Sequence, residues 1–196
     1  MSKWMGLLCI LLGVACLLGA VGIVFYNRWE ADNAAVVSQS MLAEVQEKMG
    51  APDVTLPDSK PLETPSEMAT VEVDGYRCVG VLSVPVLELE LPVLTDWSYA
   101  KLKKAPCLYY GTCYEADFVI AAHNYPSHFG RLSELQEGDM VVFTDVSGTA
   151  HHYEVVLLET LPADATETMI ASGFDLSLYT CTTGGGSRVT VRCRKA

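Results

Sequence analysis

Cys181 closes a short apolar run, Asp175-Leu-Ser-Leu-Tyr-Thr-Cys181, and Thr182-Thr-Gly-Gly-Gly186 follows at once. Arg188 stands near the head of a second β-like run, Ser187-Arg-Val-Thr-Val-Arg-Cys193. Far upstream, Phe118-Val-Ile-Ala-Ala-His123 ends on a histidine, and Asn124-Tyr-Pro126 stops the run. A thiol, an imidazole and a guanidinium at strand edges are the parts of a cysteine-nucleophile site. The thiolate attacks a carbonyl, the imidazole moves a proton near neutral pH, and the fixed cation stabilises charge developing on oxygen. Plainer readings stand beside this one. Cysteine is often a small buried residue, and a strand-end histidine beside a proline loop is often a surface residue. Three glycines after Cys181 nevertheless put it at the mouth of a loop, where reactive thiols sit.

Arg188 and Arg192 share one face of their strand because their spacing is even, leaving Val189, Val191 and Cys193 for the core face. A tight return through Gly184–Gly186 brings Arg188 beside Cys181 across the pair. Arg192 then lies about 13 Å further along and reads as a surface or groove residue. Ala122, Asn124 and Thr180, the neighbours of the histidine and the cysteine, are expected to line a substrate groove. His128 is a weaker candidate in the loop. His151 and His152 are adjacent on a strand and point to opposite faces, which is poor metal geometry.

The elements that must position these groups are mostly strands. Short runs rich in Val, Leu, Tyr and Thr, bounded by Gly, Pro or Asp, fall at Tyr76–Val84, Leu87–Leu94, Phe118–His123, Met140–Thr144, His151–Thr160, Leu176–Cys181 and Arg188–Arg192. Asp145-Val-Ser-Gly148 reads as a hairpin loop. Short helical pieces fit at Trp97–Lys104, Phe129–Leu135 and Asp164–Ala171, the last with Asp164 as N-cap and Glu167 at N3. Many short strands with few helices define a mainly β domain, a closed barrel or a sandwich. No internal repeat of useful length is present.

The rest of the chain divides by composition. Residues 4–26 are unbroken apolar sequence, about 35 Å as a helix and enough to cross a bilayer. No A-x-A cleavage site follows, so residues 1–29 read as an uncleaved signal anchor. Lys3 and the amino terminus give a slight preference for a cytoplasmic N-terminus. Residues 30–49 read as a juxtamembrane helix stopped by Gly50 and Pro52. Pro52, Pro57, Pro61 and Pro65 then mark an acidic, extended spacer over 51–68. Residues 30–70 are thus a linker, and residues 71–196 are the functional domain. A formal charge of −11 excludes nucleic acid as a partner, because phosphate contacts need clustered Lys and Arg. Seven cysteines, an odd number, cannot all pair within the chain. Cys107 and Cys113 are close enough to bridge a loop, whereas Cys78 and Cys193 read as core residues. The absence of a C-x-x-C pair argues against a structural zinc site, and Glu88, Glu90, Glu115 and Asp117 read as solvated. No metal or cofactor is expected.

Ser177-Leu-Tyr-Thr-Cys181 resembles the T-L-x-T-C signature of sortases, with Ser177 in place of the first threonine. Arg188 matches the arginine that opens the next strand in that family. Ile120-Ala-Ala-His123 resembles its strand ending in a histidine, and Phe129-Gly-Arg-Leu-Ser-Glu-Leu135 with Gly138-Asp139 resembles the F-x-x-L-x-x-L-x-x-G-D stretch that follows. The order His, Cys, Arg agrees, and the resemblance covers residues 76–194. It implies a closed eight-stranded β-barrel with short helices behind an N-terminal membrane helix. It implies a cysteine transpeptidase that cleaves an LPXTG-like sorting motif at the C-terminal end of a secreted protein. The protein is held as a thioester and passes to an amine of a peptidoglycan precursor or a pilin. In these terms Cys181 is the nucleophile, His123 the acid/base and Arg188 the oxyanion donor. The short, glycine-rich Cys-to-Arg loop departs from many members and bears on subclass and substrate motif.

Other cysteine enzymes fit less well. Papain-like and NlpC/P60-type hydrolases place Cys before His, and L,D-transpeptidases need an S-H-G-C-like run that this chain lacks. A membrane-tethered, non-catalytic β-domain that binds wall or pilus proteins is the rival from another class, and it leaves the placement of His123, Cys181 and Arg188 to chance.

Overall fold

A computed structural model describes residues 3–49 and 67–196. The proline spacer therefore lies almost wholly outside the described residues. The chain divides into two units, Met1–Asn33 and Ala34–Ala196.

The first unit is the apolar part of helix α1 (Lys3–Lys48), whose side chains are exposed throughout the apolar span. Among the described residues it is the one helix long and apolar enough to cross a membrane. In the second unit the remainder of α1 buries Ala34, Ser38, Met41, Leu42 and Val45. Spacings of three and four residues put these on one helical face. Met41, Leu42 and Val45 pack with Val71, Val73, Cys78, Val81, Leu94 and Cys107.

Nine strands follow: β1 (Val71–Val73), β2 (Tyr76–Val84), β3 (Leu89–Leu94), β4 (Cys107–Tyr110), β5 (Phe118–Ala121), β6 (Met140–Asp145), β7 (Ala150–Pro162), β8 (Leu176–Cys181) and β9 (Ser187–Lys195). Their order is β1-β2-β3-β4-β5-β8-β9-β7-β6, and β6 pairs back onto β2. Strands β2 to β9 thus close an eight-stranded barrel, with β1 added on the edge of β2 beside the closure. Strands β3/β4 and β5/β8 pair in parallel and the other pairs are antiparallel, so the barrel is mixed. Closure needs a glycine. A Cβ on Gly80 would lie 2.2 Å from the Thr144 carbonyl oxygen of β6, so any larger residue would push the seam apart. Leu82, Val93, Phe118, Ile120, Phe143, Tyr153, Leu178 and Val191 fill one core cluster.

The differences from expectation are local. Strand β3 starts at Leu89, since Pro85–Leu87 forms a 3₁₀ turn. Strands β1 and β4 are too short, at three and four residues, to carry an alternation pattern. Phe129–Leu135 forms only a 3₁₀ turn at Leu132–Glu134. Helix α2 (Tyr99–Leu102) is capped by Ser98, which accepts from the Lys101 amide. Helix α3 (Thr166–Ile170) starts at Ala165 without a side-chain cap, so Asp164 does not have the capping position. The Asp145 hairpin is present. The Asp145 carboxylate accepts from the amides of Ser147 and Thr149, each at 3.0 Å, which folds the loop onto its own first residue.

Candidate active site

Parallel pairing of β5 and β8 sets Phe118 opposite Leu176 and Ala121 opposite Tyr179. Carrying that register on by two residues brings His123 level with Cys181. Antiparallel pairing of β8 and β9 sets Cys181 opposite Arg188. Imidazole, thiol and guanidinium therefore form one row across three adjacent strands. Residues level with one another in a sheet project to the same face, and all three line one cleft with Ala122, Tyr109, Tyr179 and Thr166. The seven-residue interval between Cys181 and Arg188 fits a tight return, in which Gly184 and Gly185 take positive φ of 87° and 75°. The return is closed by the Thr182 amide donating to the Ser187 carbonyl at 3.0 Å.

Each group is held from behind. The Thr180 hydroxyl donates to the Ala122 carbonyl at 2.9 Å, tying the end of β8 to the residue before His123. Thr180 is buried, so its hydroxyl serves the alignment of the two strand ends. Thr180 and Asn124 border a second groove on the other side of Cys181, with Phe129, Thr182 and Thr183. The His123 ring stacks on Tyr125, with centroids 4.9 Å apart and planes 30° from parallel. The Arg188 guanidinium donates to the carbonyls of Gly185 and Ser187, at 3.0 and 3.1 Å, which fixes it against the return that carries it. Cys181 itself is partly exposed, whereas Cys78, Cys107, Cys113 and Cys193 are buried and all seven cysteines are free. Burial pushes each of these four thiols up to about 12, which keeps them protonated unless a metal ion binds.

The walls of the cleft were not legible from spacing. Trp97 packs on Tyr99 and Tyr109, and Tyr109 meets Tyr179 edge-on at 5.3 Å, giving an aromatic side beside the thiol. Burial pushes the Tyr179 phenol up, so it remains a neutral hydrogen-bonding group. The opposite side comes from α3 and its approach, through Ala165, Thr166 and Met169. Two polar residues hold this segment. Asp117, expected to be solvated, accepts from the Ser172 amide and hydroxyl and from the Gly173 amide, at 2.7–3.0 Å. Arg192, expected as a surface or groove residue, is only 1% exposed and borders a groove with Glu159 and Phe174. It donates to Glu159 and Ser177, each at 2.8 Å, and to the carbonyls of Thr168 and Met169 in α3, at 2.9 and 3.3 Å. Its face of β9 is covered by α3, which the strand pattern alone does not reveal. Ser177, the departure from the threonine of the T-L-x-T-C pattern, is thereby a buried partner of Arg192.

His128 lies in the loop that follows His123, fully buried, with the Tyr125 ring in contact with both imidazoles. Burial, and secondarily the charge of His123, lower its pKa from 6.5 to about 4. The folded protein therefore takes up this proton less readily than the unfolded chain. The stability that His128 supplies is complete above pH 6.5 and declines as pH falls from there towards 4, by about 3 kcal/mol in all. Urea melts between pH 7 and 4 are expected to show this loss, and His128→Phe is expected to flatten it.

Residues 82–196 match the family described as Sortase domain. No curated protein matches the chain. Among solved structures the chain is similar to sortase C1 from Streptococcus suis, at 25% identity and a TM-score of 0.54, covering 61% of this chain and 73% of that one. It is similar to the sortase D5 transpeptidase of Clostridium perfringens, at 17% identity and a TM-score of 0.60, covering 82% and 99%. It is also similar to sortase A from Corynebacterium diphtheriae, at 18% identity and a TM-score of 0.56, covering 94% and 95%. A family match over more than half of the length, on a closed barrel of this topology, places the chain in the sortase family of cysteine transpeptidases.

Proposed function

We propose that the chain cleaves an LPXTG-like sorting motif near the C-terminus of secreted proteins and transfers the acyl part to a peptidoglycan or pilin amine. The observation that carries this reading is the row His123–Cys181–Arg188 across β5, β8 and β9, lining one cleft. The Cys181 thiolate attacks the scissile carbonyl, and Arg188 stabilises the oxyanion. As the intermediate collapses, the C–N bond breaks and His123 gives a proton to the leaving amine, leaving a thioester. A second amine attacks that thioester, His123 takes its proton, and the thiolate departs. The aromatic and α3 walls suit an extended, largely apolar segment. Ala122 and Asn124, on either side of His123, border the substrate, and Thr180 contributes through its hold on Ala122. No resident cofactor enters these steps.

In the same reading residues 1–29 anchor the chain as a single-pass membrane protein, residues 30–70 link, and residues 71–196 work on the outer side of the membrane. The full chain in detergent, given an LPXTG peptide and a short glycine or diaminopimelate-type amine, is expected to show a thioacyl adduct on Cys181 and more ligated than hydrolysed product by mass spectrometry. A panel of sorting peptides that yields no adduct would leave the non-catalytic binding domain as the better account.

A further inference from the structure

A second cluster of chemically capable side chains lies outside the cleft. Cys113, on the connection between β4 and β5, Asp145, at the end of β6, and His151, near the start of β7, bring a sulfur, a carboxylate oxygen and a ring nitrogen within 4.8 Å of one another. These are the three ligand types that zinc takes in proteins. With bonds of about 2.0–2.3 Å, tetrahedral donors stand about 3.3–3.8 Å apart. We propose that Cys113, Asp145 and His151 form a structural site for a zinc-class divalent cation, which clasps the β4–β5 connection to the β6–β7 hairpin.

The surroundings favour a cation over a chance meeting. One Asp145 oxygen takes the Ser147 hydroxyl at 2.5 Å and the amides of Ser147 and Thr149, and this turns the other towards His151 Nε2 at 3.2 Å. Orientation of a ligating carboxylate through its second oxygen is how metal sites are commonly braced. The Tyr114 ring packs edge-on against His151 at 5.9 Å and fixes the plane of the imidazole. Tyr153, two residues beyond His151 and on the same face of β7, is fully buried. Its hydroxyl has no hydrogen-bond partner among the described residues. Cys113 is buried and His151 half-buried, so the site is shielded yet reachable from the hairpin side.

The cluster is separate from the cleft. Strand β7 pairs with β9 so that Tyr153 meets Lys195, while Arg188 meets Leu161. About 30 Å of strand therefore separates His151 from the Arg188 end. Its ligands come from two segments far apart in the chain, a connection and a hairpin, which is why the lack of a C-x-x-C pair in the sequence does not bear on it.

Cobalt(II) is the probe. The full chain in detergent, stripped with a chelator and titrated with cobalt, is expected to bind one ion. It should show a sulfur-to-cobalt charge-transfer band and the strong visible bands of a tetrahedral site. Cys181→Ala should leave these bands unchanged and Cys113→Ser should remove them. If circular dichroism shows Cys113→Ser unfolded, His151→Gln decides instead: lost tetrahedral bands support the site and an unchanged spectrum overturns it. A folded wild-type chain without the bands, or bands that vanish in Cys181→Ala and persist in Cys113→Ser, would also overturn it.

Discussion

Replacing Cys181 by alanine is expected to abolish adduct, cleavage and ligation together. The thioester needs a sulfur that is nucleophilic and within reach of substrate. Of the seven cysteines, Cys9 and Cys16 lie in the apolar helix, and four others are buried with thiols pushed up by desolvation. None of them borders the cleft that holds His123 and Arg188. The alanine variant should also keep its stability, since a partly exposed strand-end side chain contributes little packing. Mass spectrometry of the variant with peptide, beside a thermal melt, is the measurement. Peptide cleavage that survives in a folded Cys181→Ala protein would remove the cysteine from the mechanism and the proposed function with it.

The two arginines of β9 should fail in different ways. Arg188→Ala removes a fixed cation from beside the reacting carbonyl and is expected to cost about 10²–10³ in kcat with little change in melting temperature. Arg192→Ala leaves Glu159, Ser177 and two α3 carbonyls without their shared donor. Losing a buried charged donor that serves a hydroxyl, two carbonyls and a partly exposed carboxylate costs about 2–3 kcal/mol, a fall of about 10 °C in the melting temperature of a domain of this size. Arg192→Lys should recover only part of this, because one ammonium cannot reach the groups that a planar fork serves. Kinetics and melts of the three variants, side by side, check the contrast. A stable Arg192→Ala protein with wild-type KM would show that α3 does not depend on the buried guanidinium.

What the sequence disclosed and what it withheld have separate physical causes. Strands β2 and β8 are legible to the residue because each has long β-forming runs ended by turn residues. The relation of Cys181 to Arg188 is legible too, since only a tight return fits Thr182–Ser187. The relation of His123 to Cys181 is not, because a parallel ladder joins segments far apart in the chain and nothing local fixes its register. Burial of Arg192 is hidden for the same reason: its cover comes from α3, more than twenty residues earlier. Even spacing on a strand identifies a face, and only the partner element decides whether that face meets water.

The parallel ladder between β5 and β8 has a consequence for how selectivity can change. The Cys181 thiol and the His123 imidazole sit on neighbouring strand ends joined by backbone hydrogen bonds and by the Thr180–Ala122 bond. Their separation is set by the barrel, whereas the cleft walls, Trp97 to Tyr109 and Ala163 to Met169, belong mainly to connecting segments. Under the proposed function, exchange of those segments between relatives would alter which peptide is taken while leaving His123 and Cys181 in register. The barrel thus works as a chassis, on which new preferences can be fitted without rebuilding the engine.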